Sequence, residues 1–118
     1  YDYIVDAVDT VTAKIEIIVN AKHTGTPVIS CMGTGNKLHP ELFKISDISK
    51  TSVCPLARVM RRELRKKNIQ QLKVVFSQEK PYKEFNTTES TIGSISFVPS
   101  AEGLILASEI IKDIIKLP

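Results

Sequence analysis

The period of the apolar positions changes several times along this chain, and each change marks an element. Residues 3–8 hold a short apolar run, Ile4-Val5, between aspartates, and read as a strand. From 10 to 23 the period lengthens: Val11, Ile15, Ile18 and Val19 recur at helical spacing, Gly25 stands where a helix would stop, and Pro27 follows. Residues 27–32, PVISCM, are a second run of strand length. A strand–helix–strand series implies a parallel pair joined by a right-handed crossover. GTGNKLHPE reads as a loop, and 42–48, LFKISDI, alternates as a third strand suited to a sheet edge. Residues 55–67 form a helix with Pro55 at its first position. Residues 72–76, LKVVF, are a short strand, 77–93 a long polar loop, and 94–98, SISFV, another extended run. Residues 100–116 close the chain as a helix with apolar Leu104, Ala107, Ile111, Ile114 and Ile115. The alternation of strands and helices predicts an α/β fold.

Composition narrows the picture only a little. With 118 residues, 42% hydrophobic and 25% charged, this is one ordinary domain or part of one. A net charge of +3 is no argument for nucleic acid, but residues 58–73 carry seven Lys or Arg against one Glu. Cys31 and Cys54 make no metal-ligand spacing; with no signal-peptide pattern, they point to a reducing cytosol. Uncharged stretches fall well short of the ~18 residues of a membrane helix, and the Asn86-Thr87-Thr88 sequon is then incidental. The chain opens on Tyr-Asp-Tyr and enters a strand almost at once. That predicts a fragment of a longer protein.

Four places could carry chemistry, and each has a plainer reading. Asp6 and Asp9 flank the end of the first strand. Ligands of open α/β sheets sit beyond the carboxyl ends of strands, where an Asp can hold Mg²⁺ with a nucleotide phosphate. The plainer reading is a helix N-cap, a role Thr10 could share. Gly33-Thr34-Gly35-Asn36-Lys37 looks like a phosphate loop, yet it lacks the third glycine of a dinucleotide fingerprint and fails the Walker pattern. It is either a turn or a second rim of the same crevice. Cys54, just before Pro55, is either a thiol activated by the helix dipole or a small buried cap; no His lies nearby in sequence to serve as its base. Arg58, Arg61, Arg62 and Arg65 share one helix face, opposite Leu56, Val59, Met60 and Leu64. Such a stripe is either an RNA-phosphate surface or a solvated face near a helix C-terminus. In the last helix, Gly103, Ala107 and Ser108 suit close packing, on its own sheet or across a dimer.

Several of these residues also carry a family resemblance. D-A-V-D-T at 6–10, after an apolar strand, resembles the D-x-x-D-[NT] segment of ubiquitin-activating-enzyme-like adenylating proteins, the ThiF/MoeB/HesA family. P-S-A-E-G-L-I-L-A-S-E-I-I-K at 99–112 is similar to that family's C-terminal helix. S-C-M-G-T-G-N-K-L-H-P at 30–40 and K-T-S-V-C-P-L-A-R-V-M-R-R-E-L at 50–64 narrow the likeness to its tRNA threonylcarbamoyladenosine dehydratase branch. The resemblance runs over nearly the whole chain. It implies the C-terminal half of a Rossmann-like, mostly parallel sheet flanked by helices, within a single adenylating domain that is dimeric and cytoplasmic. It implies ATP and Mg²⁺, adenylation of the threonylcarbamoyl carboxylate on a tRNA adenosine, and closure of that group into a ring with net loss of water. By matching position, Asp9 would direct Mg²⁺ and phosphate, Thr10 would lie beside the nucleotide, and loop 33–37 would line the acyl-adenylate pocket. The arginine stripe, Arg58, Arg61, Arg62 and Arg65, becomes a candidate tRNA surface, and a sulfurtransferase-type protein a candidate partner.

Two departures matter. Many relatives carry paired C-x-x-C zinc motifs, and here only Cys31 and Cys54 occur, so no structural zinc is expected. The family's glycine-rich nucleotide loop, acidic ribose ligand and Arg/Lys phosphate contacts lie upstream of Asp9 and are not among these residues. The isolated chain is therefore expected to bind ATP weakly or not at all. Two other functions stay open: adenylation of a ubiquitin-like sulfur-carrier protein, and a non-enzymatic RNA-binding or scaffold domain.

Overall fold

The computed structural model describes residues 1–33, 38–79 and 97–116. Four strands form one sheet, in the order β1-β2-β4-β3: β1 (Ile4–Asp6), β2 (Val28–Cys31), β3 (Phe43–Asp47) and β4 (Lys73–Ser77). β1, β2 and β4 run parallel, with Val5 opposite Ile29 and Ser30 opposite Val74. β3 is the antiparallel border strand, pairing Ile45 with Val75. The expected edge position holds, and the sheet is mostly parallel. The two central strands, VISC and KVVFS, are buried on both faces, as parallel strands under helices must be.

Helices cover both faces. α1 (Val11–Thr24) ends at Gly25, whose φ of 67° is the left-handed conformation that lets its N–H reach the carbonyls of Ala21 and Lys22. α2 (Pro55–Arg65) begins behind Cys54. Together they press Ile18, Ala21, Ala57, Met60 and Leu64 onto Val28, Val74 and Phe76. The alternate residues of the same strands, Ile29, Cys31 and Val75, face the other way and meet Leu106 of α3 (Phe97–Ile115). The period of two along β2 and β4 thus splits one apolar supply between two layers.

Two expectations need correction at α3. Phe97 and Val98 open the helix rather than closing an extended run; residues 94–96 lie outside the described ones. Pro99 does not prevent this, because in a first turn its missing N–H has no intrahelical partner to lose. The apolar face is also not the buried one. Leu104, Ile111, Ile114 and Ile115 are all more than half exposed, whereas Ile105, Leu106 and Ile110 pack on the sheet together with Glu102, Glu109 and Asp113. Counting only apolar residues missed a stripe in which acids occupy half the positions.

β3 sets the shape of the site. Because it runs antiparallel beside β4, the chain from Gly33 to Leu42 begins and ends at the carboxyl rim of the sheet. Glu79, just past β4, holds Leu38 and His39 by accepting from their N–H groups at 2.8 Å each.

Candidate functional site: a crevice at the carboxyl rim

Beyond the ends of β1 and β2 lies a crevice of about 550 Å³. Its lining includes Asp9, Lys14, Cys31, Gly33, Glu102 and Leu106. The two aspartates that flank β1 part company here. Asp6 is fully buried; it accepts from Ser30 Oγ at 2.6 Å, from Lys14 Nζ at 3.3 Å and from the Val8 N–H at 3.3 Å. It is a structural anchor. Asp9 is exposed on the rim, and among the described residues its carboxylate has no hydrogen-bond partner. Neither aspartate caps α1. Thr10 does, its hydroxyl accepting from the Ala13 N–H at 3.4 Å. The plainer account of Asp9, a helix cap, is therefore replaced by Thr10, and Asp9 is left facing the opening.

Lys14 forms the crevice floor. It follows the cap of α1 by one turn and belongs to the helix face that carries Ile18 and Ala21, so its ammonium enters the interior with 1% exposure. There it meets Asp6 and donates to the Cys31 carbonyl at 2.6 Å. A buried charge survives only when paired and hydrogen-bonded, and Lys14 is both. The Cys31 thiol beside it is pushed up to about 12, by burial first and then by the Glu102 carboxyl, so it stays a neutral thiol. Glu102 reaches the crevice from α3, and burial pushes its own carboxyl up to about 8 while Lys14 pulls it back.

The other expected site residues are spread around this centre. Gly33 is on the rim; Thr34, Gly35, Asn36 and Lys37 lie outside the described residues. Cys54 is buried as the N-cap of α2, its sulfur accepting from the Ala57 N–H at 3.4 Å, and it stands outside the crevice lining. That is the structural alternative for this thiol. Arg58, Arg62 and Arg65 are exposed along α2. Arg61 turns inward, donating to the carbonyl of Ile48 and to the carbonyl and hydroxyl of Thr51, which ties α2 to the turn after β3. Arg62 rests 3.6 Å from Glu63. Lys14, Ser30 and the crevice role of Glu102 escaped the sequence reading. A lysine one turn before Ile18 and Ala21, on their face, was the available signal for Lys14.

A mostly parallel sheet between two helical layers defines an open α/β protein, the class whose ligands sit at the carboxyl rim where this crevice lies. The same fold is found in solved structures of the E. coli tRNA N6-threonylcarbamoyladenosine dehydratase, TcdA. The structure in complex with ATP matches at a TM-score of 0.84 and 24% identity, over 98% of this chain and 49% of that one. The structure in complex with AMP matches at 0.86 and 24%, over the same shares. No family model matches. Among curated proteins, the Bacillus subtilis tRNA threonylcarbamoyladenosine dehydratase is 38% identical over 130 residues, 98% of this chain and 51% of that protein. The yeast dehydratase 2 is 42% identical over 81 residues, 68% of this chain. The chain spans about half the length of the Bacillus relative. Over that matched half it is a homologue of the Bacillus dehydratase.

Proposed function

We propose that these residues form one wall of an ATP-dependent enzyme that adenylates the threonylcarbamoyl carboxylate of a tRNA adenosine and closes it into a ring with net loss of water. The reading rests on the kinship just described and, in this chain, on one observation above all: Asp9 stands at the carboxyl end of β1 with no partner among the described residues, its capping role taken by Thr10. A free carboxylate is a hard oxygen donor and fits Mg²⁺. Bound with ATP, Mg²⁺ would neutralise phosphate charge. The residues of this chain have their own tasks. Asp9 orients the nucleotide, the Lys14–Asp6 pair holds the crevice floor, and Gly33 forms part of the rim. The glycine-rich phosphate loop, on this reading, is supplied by chain outside these 118 residues.

Three further assignments accompany it. Arg58, Arg62 and Arg65, exposed on α2, form the tRNA-facing surface, where phosphate neutralisation would give salt-dependent binding. The exposed stripe of Leu104, Ile111 and Ile115 on α3 is the contact for a second copy, since apolar patches of this kind mark association surfaces. The cytoplasm, where tRNA is, is the site of action; no described helix is long and apolar enough to cross a membrane.

The test is Asp9→Asn in the complete protein. ATP–pyrophosphate exchange and ring formation on modified tRNA should both fall by roughly 10²-fold or more, the loss seen when an electrostatic stabiliser is removed. Unchanged rates would return Asp9 to architecture, and absence of both reactions in the parent would favour a non-enzymatic RNA-binding domain.

A further inference from the structure

α3 turns three acids toward the sheet, and they are treated differently. Glu109 and Asp113 are answered by Lys73, whose ammonium donates to them at 2.7 and 2.8 Å. Glu102 is not answered. It is 7% exposed, its Oε2 is buried without a hydrogen-bond partner, and it lines the crevice that holds Asp9. A buried acceptor left unmatched is costly, and native interiors rarely keep one.

The proposed reaction has a need that such a group meets. Adenylation requires no proton acceptor: the carboxylate attacks the α-phosphorus and pyrophosphate departs. Ring closure does require one. The urea oxygen or nitrogen of the threonylcarbamoyl group bonds to the activated acyl carbon, and AMP leaves with the bonding pair of the acyl–oxygen bond. One urea N–H proton must then be removed. The charged and titratable groups lining the crevice, with Asp6 buried behind Lys14, can be taken in turn. Lys14, from α1, is committed to Asp6 and the Cys31 carbonyl. Asp6, from β1, is filled by Ser30, Lys14 and Val8. The Cys31 thiol, from β2, is pushed up to about 12. Asp9, on the reading above, belongs to the nucleotide.

We infer that Glu102 is the proton acceptor for ring closure, an inference that rests on the adenylating function proposed above. Its carboxylate takes the urea proton and becomes the neutral acid that its apolar surroundings favour; the proton passes to water when product leaves. With its carboxyl pushed up to about 8 by burial, Glu102 is a strong enough base for the step and is partly ionised near neutrality.

The experiment separates the two half-reactions in the complete protein. Glu102→Gln keeps volume and removes a buried charge, so the fold is retained. ATP–pyrophosphate exchange should stay within about threefold of the parent. Single-turnover conversion of enzyme-bound adenylate to cyclic product, read by mass spectrometry of the tRNA nucleosides, should slow by roughly 10²–10⁴-fold. In the parent, closure should accelerate with pH up to about 8 and then level, and this limb should vanish in E102Q. Glu102→Asp should restore part of the rate. Closure at the parental rate in E102Q, or a parental profile flat between about pH 6 and 9, would overturn the role of Glu102 while exchange upheld the adenylating reading. Absence of exchange in the parent would overturn that reading itself, and with it this inference.

Discussion

The two ends of α3 solve the problem of a carboxylate against a sheet in opposite ways. Toward its C-terminus, Glu109, Asp113, Lys73 and Tyr3 form a closed set: Lys73 donates to both acids and the Tyr3 hydroxyl donates to Asp113 at 2.7 Å. Each titration follows from that closure. Asp113 is held below the usual carboxylate range by its Lys73 hydrogen bond and then by Tyr3. Burial works against the charge of Lys73, yet the two acids raise it overall. The Tyr3 hydroxyl is raised by burial first and then by Asp113. Near the N-terminus of the helix, Glu102 is more deeply buried and has no such set. Satisfied polar clusters fix architecture, whereas an unsatisfied buried group stores free energy that a ligand or proton can release. One end of the helix fastens it, and the other faces the crevice.

The difference can be broken at the crevice floor first. Lys14→Met would leave Asp6 buried without its counter-charge, and unfolding in urea should show a loss of about 3–5 kcal/mol. A loss under ~1 kcal/mol would mean that Ser30 and the Val8 N–H satisfy Asp6 between them, and the floor would not be an ion pair in function. The next effect has the opposite sign. The Glu102 carboxyl is raised in the folded state, so unfolding releases it to ionise, and native stability falls as pH climbs from the ordinary glutamate range toward 8. Glu102→Gln cannot ionise. It should therefore match the parent near pH 4 and exceed it by on the order of 3 kcal/mol at pH 8 and above, read by thermal or urea unfolding. A variant less stable than the parent at pH 8 would show that the carboxylate has a partner after all. The smallest effect belongs to the closed end. Asp113 is depressed in the folded state, so its contribution is present above the ordinary aspartate range and lost as pH falls through its own lower value. Partial exposure screens it. Asp113→Asn should cost less than about 1 kcal/mol at pH 7, and the cost should fade as pH drops below the ordinary aspartate range.

Elements whose burial was carried by apolar residues were legible in the sequence. β2 and β4 are continuous apolar runs, α1 stops at Gly25, and α2 starts at Pro55, each within a residue or two of expectation. The crevice was legible only at Asp9 and Gly33, because a rule about carboxyl ends of strands locates them. Lys14 and Glu102 were not, for one shared reason: a charged residue on a buried helix face reads as a surface residue until the partner, or its absence, is seen in three dimensions. α3 shows the cost. Its true inner face, Glu102–Leu106–Glu109–Asp113 with Ile105 and Ile110, is nearly as charged as its outer one is apolar. Arg61 was misjudged by the same token, since its reach to Ile48 and Thr51 depends on a turn that no local pattern announces.

The reversal of direction between β2 and β3 leaves the fold a margin for change. A crossover to a parallel strand would carry the segment from Gly33 to Leu42 down the length of the sheet; here both of its ends lie at the carboxyl rim. Residues added or deleted in it would alter what the opening admits without displacing a single rung of the β-ladder. Divergence of substrate range among kindred chains should accumulate in that segment, while the strands beneath it stay alike.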